Sequence, residues 1–174
     1  DQDGTVGCQC GQTNTYCDRI PMVGCTFLSG PLIFSYDTAT GLPIDTSRAK
    51  MTSFTLYANG GGIWGQAGSD PTTSQEYYNY LTGKWKDGSS RPKFSFSGEP
   101  CDPNAWSMVS GNVPGQDFRT IQSTGPMTML PGQSSEITFA VVWVPDVPHP
   151  APCLDKIRAA ADEARSLFDN CFKI

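Results

Sequence analysis

Seven cysteines are the feature that most constrains what this 174-residue chain can fold into. Four of them fall within the first 25 residues, and charged residues make up only 17% of the chain. Many cysteines in a sparsely charged chain are typical of exported proteins held together by disulfides. Because the number is odd, we expect one thiol to stay free or to pair with another chain. The disulfide candidates are Cys8, Cys10, Cys17, Cys25, Cys101, Cys153 and Cys171.

Metal binding is the alternative for the four N-terminal cysteines. The paired C-x2-C spacings that are usual for structural zinc are absent, so disulfides are favoured over zinc. Asp1 and Asp3 precede a glycine as calcium ligands do, but the later ligands of a calcium loop are missing. We therefore expect no cofactor, with calcium at Asp1 and Asp3 as the weaker alternative.

The C-terminal segment predicts an amphipathic helix over about residues 153–171. Its apolar side chains recur at helical spacing, and its charged side chains lie mostly off that stripe. Such a helix separates Cys153 from Cys171 by more than ~20 Å, whereas a disulfide needs Cα atoms within about 7 Å. These two cysteines should therefore not pair with each other. The stripe consists of Leu154, Ile157, Ala160, Ala161, Ala164, Leu167, Phe168 and Cys171.

A shorter helix is predicted over about residues 73–83. Thr73 and Glu76 match a capping box, in which each side chain accepts a hydrogen bond from the other residue's free backbone N–H. Aromatic and aliphatic residues then follow near helical spacing, which predicts a core-facing stripe, with a sugar- or ligand-binding face as the alternative. This stripe consists of Tyr77, Tyr80, Leu81 and Trp85, and the alternative binding face consists of Tyr77, Tyr78, Tyr80 and Trp85.

Strand-like segments complete a predicted α+β fold, mainly an antiparallel β sheet or sandwich with two helices. The last strand becomes apolar on both faces, so we expect it to be covered on both sides and to form a hairpin with the short segment before it. The predicted strands are 32–36, 51–57, 93–97, 127–129 and 136–144.

The expected domain organisation is a Cys-rich N-terminal arm over residues 1–25 and a single α+β domain over residues 26–174. The arm has no core pattern of its own, so it should be ordered only by packing on something else. It either docks on a neighbouring copy of the chain or folds back on its own domain under intrachain disulfides.

Charge and hydropathy exclude several function classes. The net charge is -5, and the few basic residues are scattered, which argues against binding to nucleic acid. No apolar run approaches the roughly 20 residues that cross a bilayer, so membrane insertion is not expected.

Candidate catalytic residues are few. His149 is the only histidine and lies between prolines, where we expect an exposed connector without a catalytic role. Glu99 with Asp102, close to Trp106, is the best pair for glycosidase-like acid and base chemistry. Paired loop carboxylates are common, so we expect a protein that is not an enzyme.

Several short phrases, in order from about residue 19, resemble a region of large secreted cell-surface proteins of Bacteroidetes-type bacteria. Those proteins are substrates of type IX secretion and gliding-associated export, and this region of them has no assigned activity. The resemblance implies an exported chain that is part of a larger protein. It also implies O-glycosylation at Thr38, within Asp37-Thr38-Ala39. The phrases are Arg19–Cys25, Gly30–Leu32, Met51–Tyr57, Glu76–Gly88, Asp102–Ser107, Arg119–Pro126, Leu130–Gly132, Val141–Trp143 and Leu167–Phe172.

Two functions are therefore expected. The first is a non-catalytic extracellular structural or adhesive module, which self-assembles into filaments or binds other cell-surface proteins. The alternative is a secreted polysaccharide-active hydrolase or its carbohydrate-binding accessory module, which exposed and clustered Tyr and Trp side chains would favour.

Overall fold

A computed structural model describes residues 20–129, 131–145, 147–148 and 151–173. It confirms the predicted α+β fold, with antiparallel strands and both predicted helices. A 3₁₀ segment, Asn59–Gly68, follows the fourth strand. The strands are β1 Met22–Ser29, β2 Leu32–Tyr36, β3 Pro43–Arg48, β4 Met51–Ala58, β5 Phe118–Thr124 and β6 Thr138–Val144, and the helices are α1 Ser74–Leu81 and α2 Asp155–Asp169.

The described strands pair as three separate two-stranded antiparallel ribbons, β1–β6, β2–β3 and β4–β5. The predicted hairpin between 127–129 and the last strand is wrong, because β6 pairs with β1 and places Gly24 opposite Val142. The strand β1 offers seven paired residues, whereas the segment 127–129 is short and follows Pro126. The strand β1 also includes residues 22–25, which the sequence assigned to the arm.

The predicted strand at residues 93–97 is also wrong. It makes one isolated parallel bridge, between Phe94 and Phe54, and then turns away. Phe96 adopts a positive φ of 52°, which is incompatible with a continuing strand.

The core is centred on β4 and α1. Leu56, Ala58 and Tyr80 are buried, and Tyr80 is fully enclosed. Two hydroxyl groups of β4 donate hydrogen bonds to the last carbonyl groups of α1, from Ser53 to Leu81 O and from Thr55 to Tyr80 O. The strand therefore satisfies the helix end that would otherwise lack partners.

The helix α1 begins as predicted, with a complete capping box between Thr73 and Glu76. Its predicted core stripe is wrong for Tyr77 and Leu81, whose side chains are 50% and 45% exposed. Because α1 has only eight residues, its buried side comprises Tyr80 and its neighbour Asn79.

The helix α2 packs on one face of the β1–β6 ribbon, and its predicted apolar stripe from Leu154 to Phe168 is confirmed as the half-buried side. The stripe is wrong for Cys171, which is exposed and lies beyond the end of α2. Gly24 allows this approach, since a Cβ atom there would lie 3.0 Å from Ile157 Cγ1. Arg165 adds hydrogen bonds from its guanidinium to the carbonyl groups of Phe27 and Leu28.

The expectation that the last strand is covered on both faces is wrong within the described residues. Thr138, Ala140 and Val142 are half-buried, whereas the alternate residues of β6 are exposed. No helix among the described residues is long and apolar enough to cross a membrane.

Candidate functional site

Glu99 and Asp102, the best catalytic pair predicted from the sequence, both make contacts that hold the fold together. Glu99 forms an ion pair with Arg158 at 2.6 Å and accepts a hydrogen bond from the backbone N–H of Leu154, at the start of α2. Asp102 accepts a hydrogen bond from the backbone N–H of Asn104 at 2.9 Å and thereby orders its own loop. Glu99 therefore caps the N-terminus of α2, where a negative charge is favourable.

Several predicted residues lie outside the described part of the chain. They are the connector residue His149, the calcium candidates Asp1 and Asp3, and the cysteines Cys8, Cys10 and Cys17. Among the described residues, no group of three or more His, Cys, Asp and Glu side chains is placed to hold a metal ion.

One disulfide joins the loop after Glu99 to the start of α2. It connects Cys101 to Cys153 with a Cα–Cα distance of 5.0 Å, so Cys153 is paired away from Cys171, as the length of the helix requires. Cys25 and Cys171 carry exposed free thiols.

A charged cluster closes the end of the β4–β5 ribbon. Arg119 bridges Asp70 at 2.5 Å and Asp117 at 3.3 Å, and Asn59 donates a hydrogen bond to Asp117. The two carboxylates raise the pKa of the Arg119 guanidinium, mainly through Asp70. These charges are paired with one another, so we interpret the cluster as a surface contact rather than a binding site, and exposed ion pairs of this kind contribute little to stability.

The β2–β3 hairpin exposes apolar side chains on both of its faces. All five residues of β2 are exposed, and alternate side chains of a strand point to opposite faces. Phe34 and Tyr36 lie on one face with ring centroids 6.4 Å apart, and Ile33 lies on the other. The exposed fractions are 45% for Leu32, 38% for Ile33, 40% for Phe34, 58% for Tyr36, 64% for Leu42 and 67% for Ile44.

The tip of this hairpin carries the predicted glycosylation residue, Thr38, in an exposed turn. The Asp37 carboxylate accepts hydrogen bonds from the backbone N–H groups of Ala39 and Thr40, each at 2.8 Å. These bonds, chiefly that from Thr40, hold the pKa of Asp37 below its usual value, because they stabilise the charged form. The turn therefore presents Thr38 outward on an ordered loop.

A second exposed apolar surface lies on the β1–β6 ribbon, on the side opposite α2. We call it the outer ribbon face. Val23 is 63% exposed and Val141 is 66% exposed. Cys25 lies directly opposite Val141 in the register and two residues along β1 from Val23. The outer ribbon face consists of Val23, Cys25, Phe27, Phe139, Val141 and Trp143.

An apolar groove continues from this face towards α1. It contains two adjoining cavities of about 460 and 420 Å³, which share Leu81, Ser123, Thr124 and Met127. The first reaches the outer ribbon face, and the second ends at Tyr78, which is 55% exposed. Part of the aromatic surface of α1 thus borders a groove. A ligand-binding face on this helix, the alternative to a core-facing stripe, would need such a groove.

Neither apolar surface was predicted from the sequence. The signal for the hairpin was present, because Leu32, Ile33 and Phe34 are consecutive apolar residues and a surface strand normally alternates. The outer ribbon face was not expected, because a strand with apolar residues on both faces was predicted to be buried on both. Comparison with protein-family models, with curated proteins and with solved structures found no match to this chain.

Proposed function

We propose that this chain is a non-catalytic structural or adhesive module of a secreted cell-surface protein, which associates with copies of itself through the β2–β3 hairpin. The observation that carries the proposal is the apolar exposure of both faces of that hairpin. Exposed apolar surface of this kind marks protein interaction sites in soluble proteins.

The physical argument concerns the stability of a two-stranded ribbon. An isolated hairpin is marginally stable in water, and it gains stability when a further strand or surface covers it. Pairing between β2 and β3 leaves one edge of each strand without a strand partner in the described residues. Such edges and apolar faces together favour addition to a sheet of another molecule.

An extracellular location is part of the same proposal. The disulfide between Cys101 and Cys153 supports it, because disulfides persist in oxidising compartments and are rare in reducing ones. The exposed turn at Thr38 is compatible with a surface sugar.

The first prediction tests the hairpin with a matched pair of aromatic substitutions. Tyr36 on the hairpin is 58% exposed, and Tyr77 on α1 is 50% exposed. We expect the wild-type chain to self-associate in sedimentation equilibrium, and Tyr36→Ser to weaken association about tenfold, which is about 1.4 kcal/mol. Tyr77→Ser is the control and should associate like the wild type.

The proposal of self-association fails if the wild-type chain stays monomeric up to about 500 µM, where even contacts near the millimolar range become visible. It also fails if Tyr36→Ser and Tyr77→Ser change association equally, because the hairpin would then have no special role.

A carbohydrate-binding accessory module is the second candidate. It is supported by the exposed aromatic side chains of Tyr78, beside the groove, and of Trp106, which is 44% exposed. Aromatic faces stack on sugar rings through their apolar surface. Retarded migration of the chain in gels containing polysaccharide, lost on Tyr78→Ser, would favour this candidate.

A further inference from the structure

The apolar groove beside α1 consists of two adjoining cavities. The first, which we call the ribbon cavity, measures about 460 Å³ and is walled by Phe27, Ile137 and Phe139 among others. The second, which we call the helix cavity, measures about 420 Å³, and its walls include Tyr78 and Lys93. Each volume lies within the ~300–1,000 Å³ that is usual for small-molecule sites. The groove therefore has the size of a ligand site.

Most hydroxyl groups on the walls of the groove are bonded within the protein. Four of them donate hydrogen bonds of 3.0 to 3.2 Å to backbone carbonyl groups. A peptide or a sugar carries a polar group in almost every unit, and each buried polar group needs a partner on the walls. An alkyl chain carries none, so it suits these walls better. The four hydroxyl groups belong to Thr52, Ser53, Thr82 and Thr124.

The ribbon cavity has room for an alkyl chain. A methylene group is close in size to a water molecule, whose share of the liquid volume is about 30 Å³. A cavity of about 460 Å³ therefore accommodates a chain of about twelve carbon atoms. Phe27 and Phe139 lie directly opposite each other in the register of β1 and β6, and both contribute to this cavity. Their rings would contact the chain.

Lys93 is the one charged side chain on the walls of these two cavities. Its stem lies close to Gly83 and Ser53, since a Cβ atom at Gly83 would be 3.1 Å from Lys93 Cγ and 3.3 Å from Ser53 Cβ. Its ammonium group forms no ion pair with a carboxylate of the described residues. A cation in a groove without acidic side chains is complementary to an anionic group on a ligand.

Ser123 supplies a second polar group, on the wall that the two cavities share. It is only 6% exposed, and its hydroxyl group has no hydrogen-bond partner in the described part of the chain. Ser123 is paired with Ser53 across the β4–β5 ribbon, so their side chains point to the same side, where Ser53 reaches Leu81 O. Leu81 lines both cavities. A buried hydroxyl group without a partner is destabilising, and an acceptor on a ligand would satisfy it.

We propose that the apolar groove binds one molecule of a long-chain fatty acid. The alkyl chain lies in the ribbon cavity. The carboxylate lies in the helix cavity and accepts charge-assisted hydrogen bonds from the Lys93 ammonium group and the Ser123 hydroxyl group. The ligand is a free molecule rather than part of a bilayer, because a chain of net charge -5 is repelled by anionic lipid surfaces.

This inference does not rest on self-association, because no residue of the β2–β3 hairpin lines the two cavities. It gives the groove a different occupant from the sugar of the second candidate function. The experiments below therefore include an outcome that favours the sugar.

Calorimetric titration of the full chain at pH 8 with sodium dodecanoate, below its micelle concentration, tests binding. We expect one molecule per chain with a Kd below about 100 µM, a modest affinity for a ligand of this size. Absence of binding would overturn the proposal. So would retarded migration in polysaccharide gels that is lost on Tyr78→Ser, if dodecanoate does not compete with the polysaccharide.

Two further probes separate the chain from the carboxylate. Each methylene group removed from a buried chain should weaken binding about fourfold, so sodium decanoate should bind about fifteenfold more weakly than dodecanoate. Decanol has the same chain as decanoate without the charge and should bind at least tenfold more weakly than decanoate. Equal binding of decanoate and dodecanoate would contradict a buried chain, and equal binding of decanol and decanoate would contradict a bound carboxylate.

A lysine pair tests the position of the carboxylate. Lys93→Met removes the charge and keeps a long apolar stem, so it should weaken dodecanoate binding about tenfold and leave decanol binding unchanged. Lys84→Met is the matched control, since Lys84 is exposed and lies outside the walls of the two cavities. Equal dodecanoate affinity in Lys93→Met and the wild type would overturn the assignment of Lys93.

Ser123→Ala distinguishes a ligand contact from a structural role. Loss of a hydrogen bond to a carboxylate should weaken dodecanoate binding about tenfold. The free protein should not lose stability in urea unfolding, because this hydroxyl group has no described partner to lose. Lower stability with unchanged dodecanoate affinity would show that Ser123 is structural and would contradict its role in binding.

A bulky substitution tests the location of the chain independently of charge. Leu81→Trp narrows the groove where the two cavities meet and should abolish binding of both dodecanoate and decanol. Ile63→Trp is the control, because Ile63 is 54% exposed and lies outside these walls. Unchanged binding in a folded Leu81→Trp variant would place the ligand elsewhere and overturn the proposal. If Leu81→Trp does not fold, Lys93→Met and Ser123→Ala decide.

Discussion

At the residue scale, Tyr80 shows how one side chain joins α1 to the rest of the core. Its hydroxyl group donates a hydrogen bond to Ser69 O at 2.7 Å, with Ala67 O at 3.2 Å as a second acceptor of the same proton, and its ring stacks on Tyr57. Burial raises the pKa of Tyr80 to about 12, because the charged phenolate would lose its hydration.

The pKa shift of Tyr80 predicts a loss of stability at alkaline pH. The unfolded value is 10.0, so the unfolded state releases this proton first. The contribution to stability is complete below pH 10 and is lost as the pH rises from 10 towards 12. At pH 11 the loss should be about 1 kcal/mol. Urea unfolding at pH 8 and pH 11 measures it.

Two variants separate Tyr80 from other titrating groups. Tyr80→Phe should lower stability at pH 8 by about 1–3 kcal/mol, because the buried carbonyl group of Ser69 loses its donor. It should also reduce the difference between pH 8 and pH 11. Tyr78→Phe, on the exposed side of α1, should retain the wild-type difference. A full alkaline loss in Tyr80→Phe would show that other groups cause it.

The sequence predicted the buried side of α2 correctly and that of α1 poorly, because the two helices differ in length. The stripe of α2 was correct because a fifteen-residue helix with charges on one side can bury only the other side. Tyr77 was placed in the core wrongly, because two turns of helix define a face poorly. The burial of Asn79 depends on a hydrogen bond from its side chain to Lys86 O, which periodicity cannot reveal.

At the scale of elements, the start of α2 is held by a covalent and an ionic contact to the same loop. The disulfide from Cys101 reaches Cys153, and Glu99 contacts both Leu154 and Arg158. The sequence showed that Cys153 and Cys171 do not pair with each other, because helix rise depends only on chain length. It left the partner of Cys153 open, because loop geometry decides that choice.

Removal of this disulfide should be costly. The two cysteines are 52 residues apart in the sequence, and closing a loop of that length restricts the unfolded chain by about 4 kcal/mol. We expect Cys101→Ser/Cys153→Ser to lower the free energy of urea unfolding by up to about that amount. Cys171→Ser, at an exposed thiol, should change it by less than about 0.5 kcal/mol. Equal effects of the two variants would contradict the assignment.

The pairing of β6 shows why strand partners were harder to predict than strands. The alternation of apolar and polar residues along a sequence indicates which face of a strand packs on the core. It does not indicate which strand is its neighbour. The strand β1 was not predicted, because apolar Val23, Cys25 and Phe27 occupy its outer face and remove the usual polar contrast. Its partnership with β6 spans more than a hundred residues, so local turn signals favoured the wrong hairpin.

At the scale of the whole molecule, two groups of elements pack separately. The strands β1 and β6 pack with α2, and the strands β4 and β5 pack with α1. The described links between the groups include the disulfide at Cys101, the ion pair between Glu99 and Arg158, and the hydrogen bond from Gln122 to Cys25. The first two meet at the start of α2, whereas Gln122 reaches β1 from β5.

This arrangement predicts that the groups lose protection unequally when the disulfide is removed. In Cys101→Ser/Cys153→Ser, backbone amides of α2 and β6 should exchange hydrogen faster, because their group loses its covalent link. Amides of β4 should stay protected, since Tyr80 and the carbonyl contacts of Ser53 and Thr55 lie within their own group. Native-state hydrogen exchange with mass spectrometry resolves both groups in one sample. An equal loss of protection in α2, β6 and β4 would show that the molecule opens as one cooperative unit.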